Sequence, residues 1–389
     1  MSVSYHVADG DRSTAPLVVA MMAVTISSVY PGFLIGALSV QVSAEFDVSE
    51  SVYGWGLGGF FLAATLGSVP LGRLAQHIGP RNQMSGLLLV GGLMQLLIST
   101  VASSFAAVVA LLVVCGFVNA GTQTAVNLAL GRAQLPRLGL AIALKQSGMP
   151  AASMISGFAV PALALTVGWR WGYVVAAAMS LVTAAVVFVV VEPWDASARP
   201  AVRLQPVSDR RTLRLTALGG GMMSFGAGSL NAWLVSSGVD AGLADGTAGL
   251  MLGLGAASGI ALRLVSGALI DNMTQRPFRV GGATALIGAI AMGLLAVRSS
   301  NLHMVATIGG FAGGWIWPVF TNYGVIRANG AASGAATGTT QMGIYVGVFS
   351  APLITGQIIE AAGYTAMWPV VACMVAIGAV ITMSIADRF

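Results

Sequence analysis

The sequence predicts an all-α integral membrane protein: twelve transmembrane helices in two pseudo-symmetric six-helix bundles. Three observations carry this. Of 389 residues, 56% are hydrophobic and only 8% charged, whereas soluble domains carry about 25% charged residues. Stretches 86–99, 105–118, 174–191 and 367–386 hold no charge, and with their flanks they reach the roughly 20 residues that a membrane helix needs. Finally, one constant offset lays the second half of the chain onto the first.

Charged, proline-rich and glycine-rich breaks cut the chain into spans in order. Residues 1–15 are polar, without an apolar core of their own, so no cleavable signal peptide is expected and they read as an N-terminal tail. Span 1 (16–40) follows Pro16 and stops before Glu45, and span 2 (52–75) runs from beyond Glu50 to a glycine-bounded loop. Spans 3 (83–101) and 4 (104–130) are separated by a short polar turn, and Arg132 closes the fourth. Span 5 (138–165) starts after Arg137, and span 6 (171–191) lies between Arg170 and Glu192. The run 192–211, rich in proline, arginine and polar residues, reads as a linker that lets two halves move. Spans 7 (212–237) and 8 (247–270) are separated by Asp240 and Asp245, and spans 9 (279–297) and 10 (302–327) by Arg298. Spans 11 (333–359) and 12 (364–385) meet at Glu360 and Gly363. The bundles are therefore expected at 16–191 and 212–389.

Orientation follows from the arginines, because positive loops stay in the cytoplasm. With both termini cytoplasmic, Arg73, Arg81, Arg132, Arg210, Arg211, Arg276 and Arg327 fall inside with seven other cations, and only Arg170 and Arg298 fall outside. Glu45, Asp47, Glu50, Asp240, Asp245 and Glu360 then face outward. The net charge of +5 thus records topology, and no nucleic-acid partner is expected. The chain should sit in the inner or plasma membrane. Cys115 and Cys373 lie mid-span as packing residues, and the three histidines are far apart, so neither disulfide nor metal site is expected.

A shift of 195 pairs Gly72 with Gly267, Glu45 with Asp240, Glu50 with Asp245, Gly58 with Gly253 and Arg81 with Arg276. It also pairs Asn127 with Asn322, Arg132 with Arg327, Gln146 with Gln341, Gly148 with Gly343, Gly168 with Gly363 and Glu192 with Asp387, with no gap. Glycine matches are cheap in a chain with 51 glycines, but charged and amide residues are scarce, and their agreement at span ends marks an internal repeat.

With these residues in view, the chain resembles a major facilitator superfamily transporter over nearly its full length. The loop "GRLAQHIGPR" (72–81) is similar to that family's signature between helices 2 and 3, with Gly72, Gly79 and Arg81 matching. It departs where an acid belongs, since Gln76 stands there, whereas the second half keeps Asp271 followed by Arg276. "GWRW" (168–171) resembles the family's turn into helix 6. The resemblance implies that the loop acid caps a helix of the opposite half and holds the cytoplasmic gate shut; a neutral Gln76 would make that lock weaker in the first half.

Two cations remain within the membrane: Lys145, the only lysine, in span 5 and Arg263 in span 8. No Asp or Glu lies deep in a span. Intramembrane charges cost roughly 2.5–3.5 kcal/mol on insertion scales, and functional use is the default expectation. Lys145 lies seven residues from Leu138, and Arg263 eight from Asp271, roughly 10 and 12 Å of helix rise. The resemblance implies that helices 5 and 8 pack at the seam between halves, so both charges could face one cavity and share an anionic substrate. Guanidinium matches a carboxylate or similar oxyanion, while Lys145 can act as a point charge or shed its proton. Other roles also fit: Lys145 snorkelling to headgroups or pairing with Asp271, and Arg263 serving packing.

The resemblance further implies a cavity lined by helices 1, 4, 7 and 10. It suggests Tyr30, Asn119, Gln123, Asn231, Trp233, Trp315, Trp317, Asn322 and Tyr323, with Gln146, Gln341 and Tyr345 from helices 5 and 11. Each single residue also fits helix packing or an interhelical hydrogen bond. The reading is a transporter of a small anion, an organic carboxylate foremost, working by alternating access as a monomer without cofactor, metal or catalytic residues. The absence of a buried carboxylate favours anion exchange or uniport, with proton coupling through the substrate still open. Two rivals fit as well: an exporter of hydrophobic or cationic compounds, and a transporter-like receptor or membrane enzyme.

Overall fold

The computed structural model describes residues 15–132, 138–193, 208–270, 276–329 and 333–388. Among them there are helices and no strands, as a backbone in lipid requires when no barrel is formed. The first half runs α1 (Ala15–Ala37), α2 (Ser39–Phe46), α3 (Glu50–Ile78), α4 (Pro80–Thr100), α5 (Phe105–Arg132), α6 (Leu138–Ala159) and α7 (Arg170–Val190). The second runs α8 (Arg210–Asp240), α9 (Asp245–Leu269), α10 (Pro277–Leu294), α11 (Ser300–Gly314), α12 (Trp317–Asn329) and α13 (Ser333–Ser384). Ten of these stretches are long and apolar enough to cross a membrane, one of them being residues 336–388. That stretch is two legs joined at Gly363, whose φ of 75° is non-helical. With the legs separated and α8 added, the expected twelve spans are present.

Two departures from the expected spans have local causes. The first span ends with α1 at Ala37, short of residue 40, and the separate short helix α2 carries the chain to Phe46, where Asp47 ends it in the left-handed region. Span 10 is broken between α11 and α12, because Pro318 has no N–H to continue the helix. The repeat is visible in the backbone. Gly168 and Gly363 both have positive φ, 102° and 75°, and so do Asp47 and Gly242, at 49° and 93°, again 195 apart. A side chain at Gly168 or Gly363 would meet nothing within 4 Å, so conformation, and not space, requires glycine there.

Apolar side chains such as Val19, Val189, Ile290 and Val305 stand exposed on the outer surface, as expected of helices whose outer solvent is lipid. Cys115 is buried, but Cys373 is exposed, so only the first packs inside.

The two helix sets close on each other at the face that carries Glu45, Glu50, Asp240 and Glu360. There Glu360 accepts hydrogen bonds from Ser49 Oγ and the Ser51 N–H, both at 3.2 Å, which caps the N-terminus of α3 from the other half. Tyr364 donates to Glu50 at 3.0 Å, and Gln41 donates to Asp245 at 3.1 Å. Backbones approach closely: a Cβ at Gly356 would lie 2.7 Å from the Glu50 carbonyl oxygen, the small-residue packing that replaces hydrophobic force in lipid. Also at this face, Glu45 accepts from Trp169 Nε1 and Arg170 Nη1, each at 2.6 Å. Burial works to raise the Glu45 carboxyl, but these hydrogen bonds and the Arg170 charge outweigh it and hold it below the ordinary carboxylate value.

At the opposite, arginine-rich face, Asp387 pairs with Arg276 and with Arg279, the latter at 3.0 Å, all within the second half. Arg81 lies over the Phe188 ring at 4.0 Å, within the first. Gly79 takes φ 83° between α3 and α4, and Gly72 is half-buried against Thr124. Gln76 is exposed and makes no hydrogen bond to a described residue. Asp271 lies outside the described residues.

Candidate functional site

Arg263 sits on α9 with only 7% of its surface exposed. Its partners are backbone carbonyls: Nε and Nη2 donate to Trp315 O at 3.0 and 2.6 Å, and Nη1 donates to Gln146 O at 2.8 Å. Both carbonyls are free for it because of prolines. Gln146 O would normally accept from residue 150, but Pro150 has no N–H to give. Trp315 O would accept from Val319, but the break at Pro318 turns the Val319 N–H to Ile316 O at 3.0 Å. Arg263 thus joins α9 to α6 across the two halves and to the break between α11 and α12. Three of its five N–H groups are used, leaving one on each terminal nitrogen.

Arg263 lines a cavity with roughly 650 Å³ of empty space, its mouth included. Six other expected side chains line it too: Gln146, Asn231, Trp315, Trp317, Asn322 and Gln341. Sequence reasoning missed Phe33, Met149, Ser224, Gly228, Ile344 and Val348. Helical spacing could have found most of them: Met149 is three residues from Gln146, Ser224 and Gly228 precede Asn231 by seven and three, and Ile344 and Val348 follow Gln341 by three and seven.

The wall is mixed in its hydrogen bonding. Asn231 is occupied, accepting from Ser153 Oγ at 2.7 Å and donating to Ala227 O at 2.9 Å. The side chains of Gln146, Asn322 and Gln341 have no hydrogen bond to a described residue. Trp315 and Trp317 are 5% and 2% exposed, and both indole N–H groups are buried without a partner. Among the described residues no Asp or Glu lines the space. Phe33 lies 6.1 Å from the Trp315 ring, which in turn lies 5.1 Å from Phe311. A smaller recess of roughly 210 Å³ continues past Trp317, Asn322 and Ile344 to Thr216 and Val325, towards the arginine-rich ends of α8 and α12.

The other expected site residues lie elsewhere. Lys145 is 7% exposed but is not among the cavity-lining residues. It shares the buried face of α6 with Gly148, where an added Cβ would meet Thr25 of α1, and it has no ion pair or hydrogen bond to a described residue. One residue turns a helix by about 100°, enough to part Lys145 from Gln146. Of the two expected cations, the described lining of this cavity therefore includes Arg263 and not Lys145. Tyr30, Asn119 and Gln123 belong to the interior of the first half: Gln123 Nε2 donates to Ser28 Oγ, which donates to Asn119 Oδ1, both at 3.2 Å. The Tyr30 hydroxyl is buried without a partner. Trp233 donates to Thr355 at 2.7 Å within the second half. Tyr323 accepts from Arg327 at 3.4 Å, and Tyr345 is half-buried; neither lines the cavity. Among the described residues no cluster of His, Cys, Asp or Glu could hold a metal ion.

Comparison with known proteins agrees with this architecture. Residues 17–325 match the family model described as Major Facilitator Superfamily. No curated protein matches. Among solved structures, a bacterial homolog to the human lysosomal transporter Spinster, in an inward-facing and unoccupied conformation, superposes with TM-score 0.75 at 13% identity, covering 98% of both chains. The same kind of protein in an inward-facing and occupied conformation gives TM-score 0.72 at 14% identity, covering 98% of this chain and 95% of that one.

Proposed function

We propose that this chain, which belongs to the major facilitator superfamily, moves a small organic carboxylate across the membrane with Arg263 as the group that holds it. The protein is a multi-pass membrane transporter and not an enzyme. What remains to be named is its cargo. One observation carries the anion reading: a buried guanidinium with two spare N–H groups lines a cavity that has no carboxylate among its described lining residues. A buried charge without a counter-charge calls for a partner that arrives with the substrate. Lys145, behind the wall on α6, adds positive potential without contact.

In this account the arginine-rich face is cytoplasmic, with both termini, and the membrane is the inner or plasma membrane. The bundles 16–191 and 212–389 rock about the site as a monomer, with 192–211 as the flexible joint. The closed acidic face and the exposed Gln76 fit an inward-open state, and Gln76, Asp271, Arg81 and Arg276 belong to the gate that closes in the other state. Because Arg263 already bonds Gln146 O of the first half, an anion bound to its spare N–H groups acts on a strut between the halves. That links binding to rocking. Exchange against a second anion and uniport both fit a cavity with no acid among its described lining residues; an exporter of cationic compounds fits less well, since no carboxylate there offsets the charge of Arg263.

The test is uptake into proteoliposomes. Labelled benzoate should accumulate with the parent and at background rate with Arg263→Gln. Uptake of a cationic dye instead, unaffected by that substitution, would establish the exporter reading.

A further inference from the structure

We infer that the cargo is a monoanion with one carboxylate on an apolar, preferably planar body, a refinement that rests on the anion reading above. The argument is a count of charges and donors. Among the described residues, Arg263 is the only cationic side chain lining the cavity. Its two remaining N–H groups form a charged donor pair that no carboxylate of the described lining meets. One carboxylate satisfies it: two oxygens offer about four acceptor sites. Carboxylate and guanidinium then neutralise each other.

A second carboxylate meets no further cation among the described lining residues: Lys145 is not one of them, and the amides of Gln146, Asn322 and Gln341 supply dipoles but no charge. Burying an unpaired carboxylate is among the costliest events in a protein interior. Dicarboxylates, and phosphate as a dianion, are therefore disfavoured by this wall. The rest of the lining sets the body of the ligand. Phe33, Met149, Ile344 and Val348 offer no hydrogen bond to a polar substituent. The tilted rings of Phe33 and Trp315, 6.1 Å apart, present apolar faces to a flat ring or short branched chain. A small hydrophilic monoanion such as acetate would satisfy Arg263 but leave these walls uncovered.

Five probes separate the possibilities, with the melting temperature of the purified full-length protein as readout: benzoate, acetate, succinate, phosphate and benzamide. Ligands that bind the folded state raise Tm with concentration. Benzoate is expected to do so with a half-effect concentration at least about tenfold below that of acetate or succinate, and phosphate and benzamide to have no effect. Equal effects of succinate or phosphate would overturn the monoanion inference while leaving an anion site intact. Equal potency of acetate would remove the apolar body. A rise with benzamide matching that with benzoate would overturn the anion reading itself, and no rise with any probe would overturn the inference too.

Discussion

The close approach of α13 to α3 makes Gly356→Ala a test of how the acidic face stays shut. An added Cβ would lie 2.7 Å from Glu50 O and 3.3 Å from Trp233 Cζ2. Ordinary contact begins near 3.4 Å, so the carbonyl would have to recede by about 0.7 Å. A backbone oxygen cannot rotate away; α3 itself must move. Overpacking of this kind costs about 1–3 kcal/mol, and it falls only on the arrangement in which the halves touch here. At about 1.4 kcal/mol per factor of ten, the balance of closed to open acidic face should shift by roughly 5- to 150-fold. Spin labels at Val101 and Val297, exposed at 63% and 48% at the acidic ends of the two halves, report the change as a longer inter-label distance once exposed Cys373 is replaced. Gly86→Ala is the control. Nothing lies within 4 Å of its Cβ, so the distances should stay unchanged, with stability raised by up to about 1 kcal/mol. An unaltered distance distribution in Gly356→Ala would refute the idea that backbone contact holds this face closed.

Further expectations follow from the same contacts. Pro150→Ala restores an N–H that can recapture Gln146 O, withdrawing one anchor from Arg263; benzoate affinity should fall by roughly tenfold, and unchanged affinity would mean that the freed carbonyl does not position the guanidinium. Glu360→Gln removes a negative charge from the N-terminus of α3, worth about 0.3–1 kcal/mol at an exposed site, and should speed hydrogen exchange at residues 51–53. For Glu45 the sign is fixed by a carboxyl depressed in the folded state: its stabilising contribution is full above the ordinary value of 4.5 and is lost as pH falls through the lower folded value. Trp169→Phe should therefore lower Tm at neutral pH and flatten its acid limb below pH 4.5, whereas parallel curves would contradict the assignment.

Much of the architecture was legible because lipid imposes one rule on every span. Charges mark span ends, and the offset of 195 paired Gly168 with Gly363, which the structure shows to share a positive φ. It did not single out Asp47 and Gly242, whose identities differ though their backbones agree. Arg263 could be singled out since a guanidinium in an apolar helix has few explanations. Its partners could not: Pro150 and Pro318 announce free carbonyls, but which distant side chain would find them depends on helix packing. Lys145 shows the same limit. Its depth was readable, its direction was not, because one residue's error in rotation carries a side chain to another helix. Tyr30, Asn119 and Gln123 were expected in the cavity by analogy with helices 1 and 4, yet their side chains turn into the first half.

Equilibrium binding of labelled benzoate to the parent, Arg263→Lys and Arg263→Gln tests the central claim most directly. Tm and helix content of each variant show that it is folded. Hydrogen bonds to a charged group contribute about 1.5–3 kcal/mol, so Arg263→Gln should bind at least about tenfold more weakly, with Arg263→Lys in between. A folded Arg263→Gln that binds benzoate within about twofold of the parent would contradict the assignment of Arg263 as the anion-holding group.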